Sequence, residues 1–236
     1  MRRLALLDVD GTLTDTVAVD LECFLTTLSE LFGFSSSERD YDWEAIPHAT
    51  DPGLLEGAFH QFAKRSPTLA EADAFKTRFV RALERAAAES PAGFRSIAGA
   101  RKLVAALAEA PDWDFAVATG CWAESARMKL AVAGFETVRE PLASASEAVS
   151  REEIFGLALA RSKSPDVGLA AVLVGDGTWD AVTAGNLDLP FVGVAAPRRA
   201  EDLRRLGAVE VLSDFRHLRT TLDVLEAAVG SKAGEC

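Results

Sequence analysis

Leu4-Ala5-Leu6-Leu7-Asp8-Val9-Asp10-Gly11-Thr12 is the stretch on which the fold turns. Its first four residues form an uninterrupted apolar run, the pattern of a parallel strand buried on both faces. Open α/β sheets bind ligands beyond the C-terminal ends of such strands, and Asp8 and Asp10 fall there. Two residues apart, their side chains leave the chain on one side, a few ångströms from each other. Gly11 permits a sharp departure after them. Carboxylates so close repel unless a cation or a shared proton relieves them. The stretch therefore points to a metal and to carboxylate chemistry. An Asp-Gly pair after a strand is also ordinary turn chemistry, so the rest of the chain has to decide.

Further apolar runs occur at Phe115–Ala118, Ala171–Val174 and Phe191–Val194, with a weaker one at Val209–Leu212. Helical patterns at Gly99–Ala110, Ala123–Ala133, Arg151–Ala160 and Trp179–Ala184 lie between them. Such alternation predicts an α/β fold with a doubly wound parallel sheet. The segment from Thr16 to Ala92 breaks the alternation and is far longer than an ordinary crossover. Val17, Leu21, Phe24, Leu25, Leu28, Leu31 and Phe32 recur at helical spacing, as do Phe75, Phe79, Leu83 and Ala86. The expected organisation is a core of residues 1–15 and 93–236, with an all-α domain of residues 16–92 inserted between the first two strands. The tail from Gly230 reads as frayed.

With 236 residues, 49% of them apolar, the chain has room for a real core and one insert. A formal charge of −11 disfavours nucleic acid and anionic membranes as partners. It still allows an anionic substrate, because a divalent cation and local donors can reverse the field inside a pocket. No apolar stretch approaches the roughly 18 residues of a membrane span. Asp8 and Asp10 break the run after Met1-Arg2-Arg3 too early for a leader. The three cysteines, Cys23, Cys121 and Cys236, form neither a disulfide framework nor a zinc pattern. A reducing cytoplasm is the simplest location.

Two more stretches carry chemistry. Val117-Ala118-Thr119-Gly120 closes a strand ahead of a helix, where a hydroxyl and free N–H groups make a phosphate cradle, or simply a turn. In Gly175-Asp176-Gly177-Thr178-Trp179-Asp180, Asp176 leaves a strand and Asp180 sits one helical turn on, so both can face one point. A turn followed by a helix cap is the plain alternative.

DVDGTLTD (Asp8 to Asp15), VATG (Val117 to Gly120), SREE (Ser150 to Glu153) and LVGDGTWD (Leu173 to Asp180) follow one another in the order of four signatures. They resemble those of the haloacid dehalogenase-like hydrolase superfamily, most of whose members are phosphatases. The resemblance spans nearly the whole chain and implies a Rossmann-like core with a helical cap over the active site. It implies that Asp8 is the nucleophile, forming an aspartyl-phosphate, and that Asp10 is the general acid and then the general base. It gives Thr12 a supporting role in the loop, and phosphate binding to Thr119 and Gly120. Magnesium would be held by the carboxylates of Asp8 and Asp176 and the backbone carbonyl of Asp10, with Asp180 in the outer shell. Crowding beside Asp8 is expected to bring the Asp10 pKa toward working pH.

The third signature departs from the family, which places a lysine there. Arg151 stands at the expected place, 32 positions after Thr119 and 25 before Asp176. Arginine is always charged and binds phosphate bidentately; Lys163 is the rival, and a surface arginine is the plain reading. Asp10, Asp176 and Asp180 favour phosphoryl transfer over carbon–halogen hydrolysis, since the superfamily's dehalogenases lack the second aspartate of the first signature. The position of the insert resembles phosphoglycolate phosphatase-like and β-phosphoglucomutase-like members. The expected activity is magnesium-dependent hydrolysis of a small phosphorylated metabolite. A phosphomutase is the nearest alternative, and a regulatory protein on a weakened hydrolase fold is the third reading. His48 and Trp122 are candidate substrate contacts, although Trp122 reads equally as packing between cap and core. Thr50 and Asp51 read better as a helix start, Asp15 as the cap of the first inserted helix, and Cys121 as a small filler.

Overall fold

The computed structural model describes residues 2–43, 46, 48–135, 142–162 and 170–233, with side chains to Gly230. Six parallel strands form one sheet: β1 (Arg3–Leu7), β2 (Trp113–Thr119), β3 (Leu142–Ser144), β4 (Ala170–Gly175), β5 (Phe191–Val194) and β6 (Ala208–Leu212). Their order is β3-β2-β1-β4-β5-β6, so the sheet winds outward in both directions from β1. Leu7 lies beside Val117 of β2 and Val174 of β4. The crevice where strand order reverses opens at the end of β1, the usual ligand site of such sheets.

Alternate residues of β1 feed two separate cores. Ala5 and Leu7 pack with α4 (Ala100–Glu109) and α9 (Leu218–Ala233) through Leu103, Val104, Leu107, Leu225 and Val229. Leu4 and Leu6 pack on the other face with α6 (Arg151–Arg161), α7 (Thr178–Asn186) and α8 (Pro197–Arg205) through Ile154, Phe155, Ala181 and Leu203. With both faces covered, the strands read as continuous apolar runs and not as alternating ones. Helix α5 (Ala123–Val132) follows β2 directly. The strand β3 was not foreseen, and α9 continues through Gly230 to Ala233, where fraying was expected.

Between β1 and β2 stand α1 (Val17–Phe32), α2 (Asp51–Ala63) and α3 (Leu69–Glu89). These helices have their own core. Phe24 lies edge-on to Phe75 and Phe79 at 4.8 and 5.5 Å, and Phe32 lies edge-on to Phe59 at 4.8 Å. A capping box of Thr68 and Glu71 starts α3. The Thr50 side chain accepts from the Gly53 N–H to start α2, the helix start that the sequence indicated. At α1 the cap residue is Thr16, not Asp15, and its side chain makes no capping bond. Its hydroxyl is taken by Asp10 and Thr14, while Asp15 pairs with Arg95 at 2.7 Å. Among the described residues no helix is long and apolar enough to cross a membrane.

Candidate active site

Asp8 is the first residue past β1, and its N–H still bonds to the Val174 carbonyl at 3.1 Å. Asp176 is the first residue past β4, and Asp180 lies in the first turn of α7. Adjacent parallel strands thus bring these side chains to one point: one oxygen of each of Asp8, Asp176 and Asp180 lies within 4.8 Å of the others. Gly11 makes the approach possible. Its φ is +77°, and a Cβ there would stand 2.3 Å from the Asp176 carboxyl carbon. Gly175 plays the same part, since a Cβ on it would meet Asp180 at 2.4 Å. The glycines of both signatures are therefore steric requirements of the carboxylate cluster.

All three carboxylates are buried. Burial, with Asp180 adding repulsion, raises the Asp8 pKa well above the carboxylate range, against the pull of Arg151. The same causes push Asp176 up to about 7, although Arg199 at 3.2 Å opposes them. The Asp176 Oδ1 atom is buried and has no hydrogen-bond partner among the described residues. An all-oxygen cluster in which the pKa values of Asp8 and Asp176 are raised and one acceptor is orphaned is what a hard divalent cation relieves. The residues present fit magnesium.

Arg151 opens α6, where the Ser150 side chain accepts from the Glu153 N–H at 3.1 Å. The guanidinium is buried, reaches Asp8 at 3.5 Å, ion-pairs with Asp180 and donates to the Ala49 carbonyl at 3.2 Å. Burial works against its charge, and Asp180 and Asp8 more than offset that. The rival, Lys163, lies outside the described residues. Thr119 is buried and lines the same cavity; its hydroxyl accepts the Cys121 N–H at 3.2 Å. Gly120 is hemmed in: a Cβ there would stand 2.6 Å from the Ala49 carbonyl oxygen and 2.8 Å from Arg151. Thr12 is fully buried in the loop after β1, and its hydroxyl has no partner among the described residues.

Asp10 departs from expectation. Crowding beside Asp8 does not set its pKa. Burial raises it, but the Lys129 ammonium at 2.9 Å, with donors from Cys121 and Thr16, pulls it below the usual carboxylate value. Lys129 is wholly buried on α5 and also ion-pairs with Asp20 of α1. Sequence reading missed both residues. A signal existed, since Ala126, Leu130 and Ala133 place position 129 on the buried face of its helix. Arg199 at the start of α8 also went unnoticed. Cys121 fills space as expected, and its thiol also donates to Asp10.

Two candidate substrate contacts are not brought to this point. His48 lines a neighbouring cavity of about 550 Å³ with His60 and Glu56. The Trp122 ring is buried 6.1 Å from both Phe75 and Phe79, and so belongs to the core of the helical insert. The Trp122 backbone serves the junction instead. Its N–H donates to the Asp51 carboxylate at 2.8 Å, while the Asp51 N–H donates to the Gly120 carbonyl at 2.7 Å. This reciprocal pair docks the start of α2 on the loop after β2.

No family model matches the sequence, and no curated protein matches it. Solved structures do resemble it in fold. A hydrolase from Pseudomonas syringae superposes with a TM-score of 0.71 at 19% identity, over 94% of this chain and 97% of that one. A provisionally assigned β-phosphoglucomutase from Bacteroides vulgatus gives 0.72 at 14% identity, over 97% and 90%. A HAD family hydrolase from Deinococcus radiodurans R1, solved with bound phosphate and sodium, gives 0.58 at 21% identity, over 95% and 96%. Over more than nine-tenths of its length the chain has the fold of the haloacid dehalogenase-like hydrolases.

Proposed function

We propose that the protein is a magnesium-dependent phosphatase of a small phosphorylated metabolite, working through an aspartyl-phosphate on Asp8. The observation that carries this reading is the convergence of Asp8, Asp176 and Asp180 at the sheet's reversal, with the Arg151 guanidinium against Asp8. Asp8, Asp176 and the backbone of Asp10 would hold the ion, and Asp180 would steady the site from behind. When bound, magnesium neutralises charge on the transferring phosphoryl group. Thr119, the backbone at Gly120 and Arg151 would cradle that group.

In the first half-reaction an Asp8 oxygen bonds to phosphorus while the ester P–O bond breaks. The electron pair leaves on the alcohol oxygen, which takes the proton that the phosphomonoester monoanion brings in, relayed by Asp10. In the second half-reaction water attacks phosphorus, Asp10 accepts its proton, and phosphate departs as the Asp8 carboxylate re-forms. Lys129 beside Asp10 favours the carboxylate and hence the role of base. Arg151 keeps a cation where the family has a lysine, so the departure in sequence preserves the charge. The likeness to a phosphoglucomutase supports a second reading, return of the phosphoryl group to a sugar. Phosphate release from p-nitrophenyl phosphate with magnesium tests the proposal: Asp8→Asn should abolish it. A wild-type protein that hydrolyses no phosphomonoester would overturn the reading.

A further inference from the structure

The cavity that contains Asp8 has a volume of about 390 Å³, near the lower end of the roughly 300–1,000 Å³ typical of small-molecule sites. Its two ends differ in chemistry. The end at the sheet holds the carboxylates, Thr119 and Arg151. The walls away from it are Val17, Leu21, Trp43, Ile46 and Leu54 from the insert and Trp179 from α7. Val17 and Trp179 remain 42% and 39% exposed, apolar surface left open at the cavity.

Of the polar groups on the insert side, Thr50, Trp43, Asp51 and Asp20 are already engaged. Thr50 donates to the Val149 carbonyl at 2.9 Å and accepts from Gly53. The Trp43 indole N–H donates to the Glu38 carbonyl at 3.2 Å, which leaves its ring to the cavity. Asp51 holds the Trp122 N–H, and Asp20 holds Lys129. Among the described residues lining the cavity, Arg151 is the one cation, and it lies at the phosphate end. A second anionic group on a substrate would meet the Glu38 carboxylate with no cation to pair it. A polyol would give up water for few donors or acceptors, at the cost of unpaired buried hydroxyls.

We infer that the substrate, on the phosphatase reading above, is a phosphomonoester with a compact, uncharged, apolar alcohol as its leaving group, aryl or alkyl. Phosphorylated carboxylic acids and phosphorylated sugars are disfavoured. The test compares kcat/KM with magnesium for benzyl phosphate, 2-phosphoglycolate and glucose 6-phosphate, with p-nitrophenyl phosphate as the reference for the core chemistry. Benzyl and glycolate esters both release alkoxide-type oxygens, so leaving-group reactivity does not decide the comparison. Benzyl phosphate should lead the other two by at least about tenfold, the low end of what an apolar pocket gains from a single methylene. Leu21→Arg, or Leu54→Lys as a second variant, should move the ratio toward 2-phosphoglycolate by a similar factor. Preference of the wild type for 2-phosphoglycolate or glucose 6-phosphate, with p-nitrophenyl phosphate hydrolysed, would overturn the inference and leave the phosphatase reading standing. Failure on all four would overturn both.

Discussion

Lys129 is the strongest single test of how the insert is held to the core. Its ammonium is wholly buried between Asp10, at 2.9 Å, and Asp20, one carboxylate from each side of the junction. Lys129→Met keeps the bulk of the stem and removes the charge, leaving two partly buried carboxylates facing each other. Removing one partner of a buried ion pair costs about 3–5 kcal/mol, because the remaining charge is uncompensated. At about 2–4 °C per kcal/mol for a chain of this size, Tm should fall by roughly 6–20 °C. The deficit should shrink at acid pH, where Asp10 and Asp20 take up protons, and Lys129→Met/Asp20→Asn should recover part of it at neutral pH. Thermal denaturation followed by circular dichroism reads all three. A Tm within about 2 °C of wild type for Lys129→Met, or no recovery in the double variant, would show that this ion pair does not hold the junction.

Three other outcomes follow from the geometry. Burial, reinforced by Asp20, pushes Asp51 up to about 8 from an ordinary value of 3.8; the native state therefore holds a proton that the unfolded chain releases, and stability falls as pH rises between those values. Each pH unit costs up to about 1.4 kcal/mol, so Asp51→Asn should gain on wild type from pH 5 to pH 8 in urea titrations, and a constant difference would contradict the assignment. Gly120→Ala forces a Cβ to within 2.6 Å of the Ala49 carbonyl oxygen; the displaced loop should lower kcat/KM by about 100-fold, the penalty for misplacing a reacting group by an ångström, with the far-ultraviolet spectrum unchanged. Arg151→Ala should lower kcat by about 100- to 1,000-fold, as loss of a charge-stabilising donor does, and Arg151→Lys should restore part of it by keeping the charge without the fork.

Local physics made the core legible. β1, β2, β4 and β5 are buried on both faces, so each announced itself as an apolar run bounded by turn residues. The four signatures were readable because each is a strand end or a helix start, where a few consecutive residues fix the geometry. The insert was readable from the phenylalanines of α1 and α3. The three-residue β3 is too short to show a pattern. In α8, Ala200 and Leu203 are the buried residues of a segment otherwise dominated by charge. Contacts across the junction were the hardest to foresee. Nothing near Asp10 in sequence announces Lys129, 119 residues away, so the sign of the Asp10 pKa shift was misjudged. His48 was misplaced for a related reason: periodicity tells which face of an element is apolar, not which of two neighbouring cavities that face enters. Trp122 packs against Phe75 and Phe79 of the insert, the second of its two readings.

Central to the proposed mechanism is the transfer of the phosphoryl group to Asp8 before it reaches water. Acid quenching during turnover of p-nitrophenyl phosphate with magnesium, followed by peptide mass spectrometry, detects that step. A phosphoryl group on the peptide containing Asp8, absent in Asp8→Asn, is the predicted result. Turnover that persists in Asp8→Asn, or a phosphoryl group found on another side chain, would contradict it.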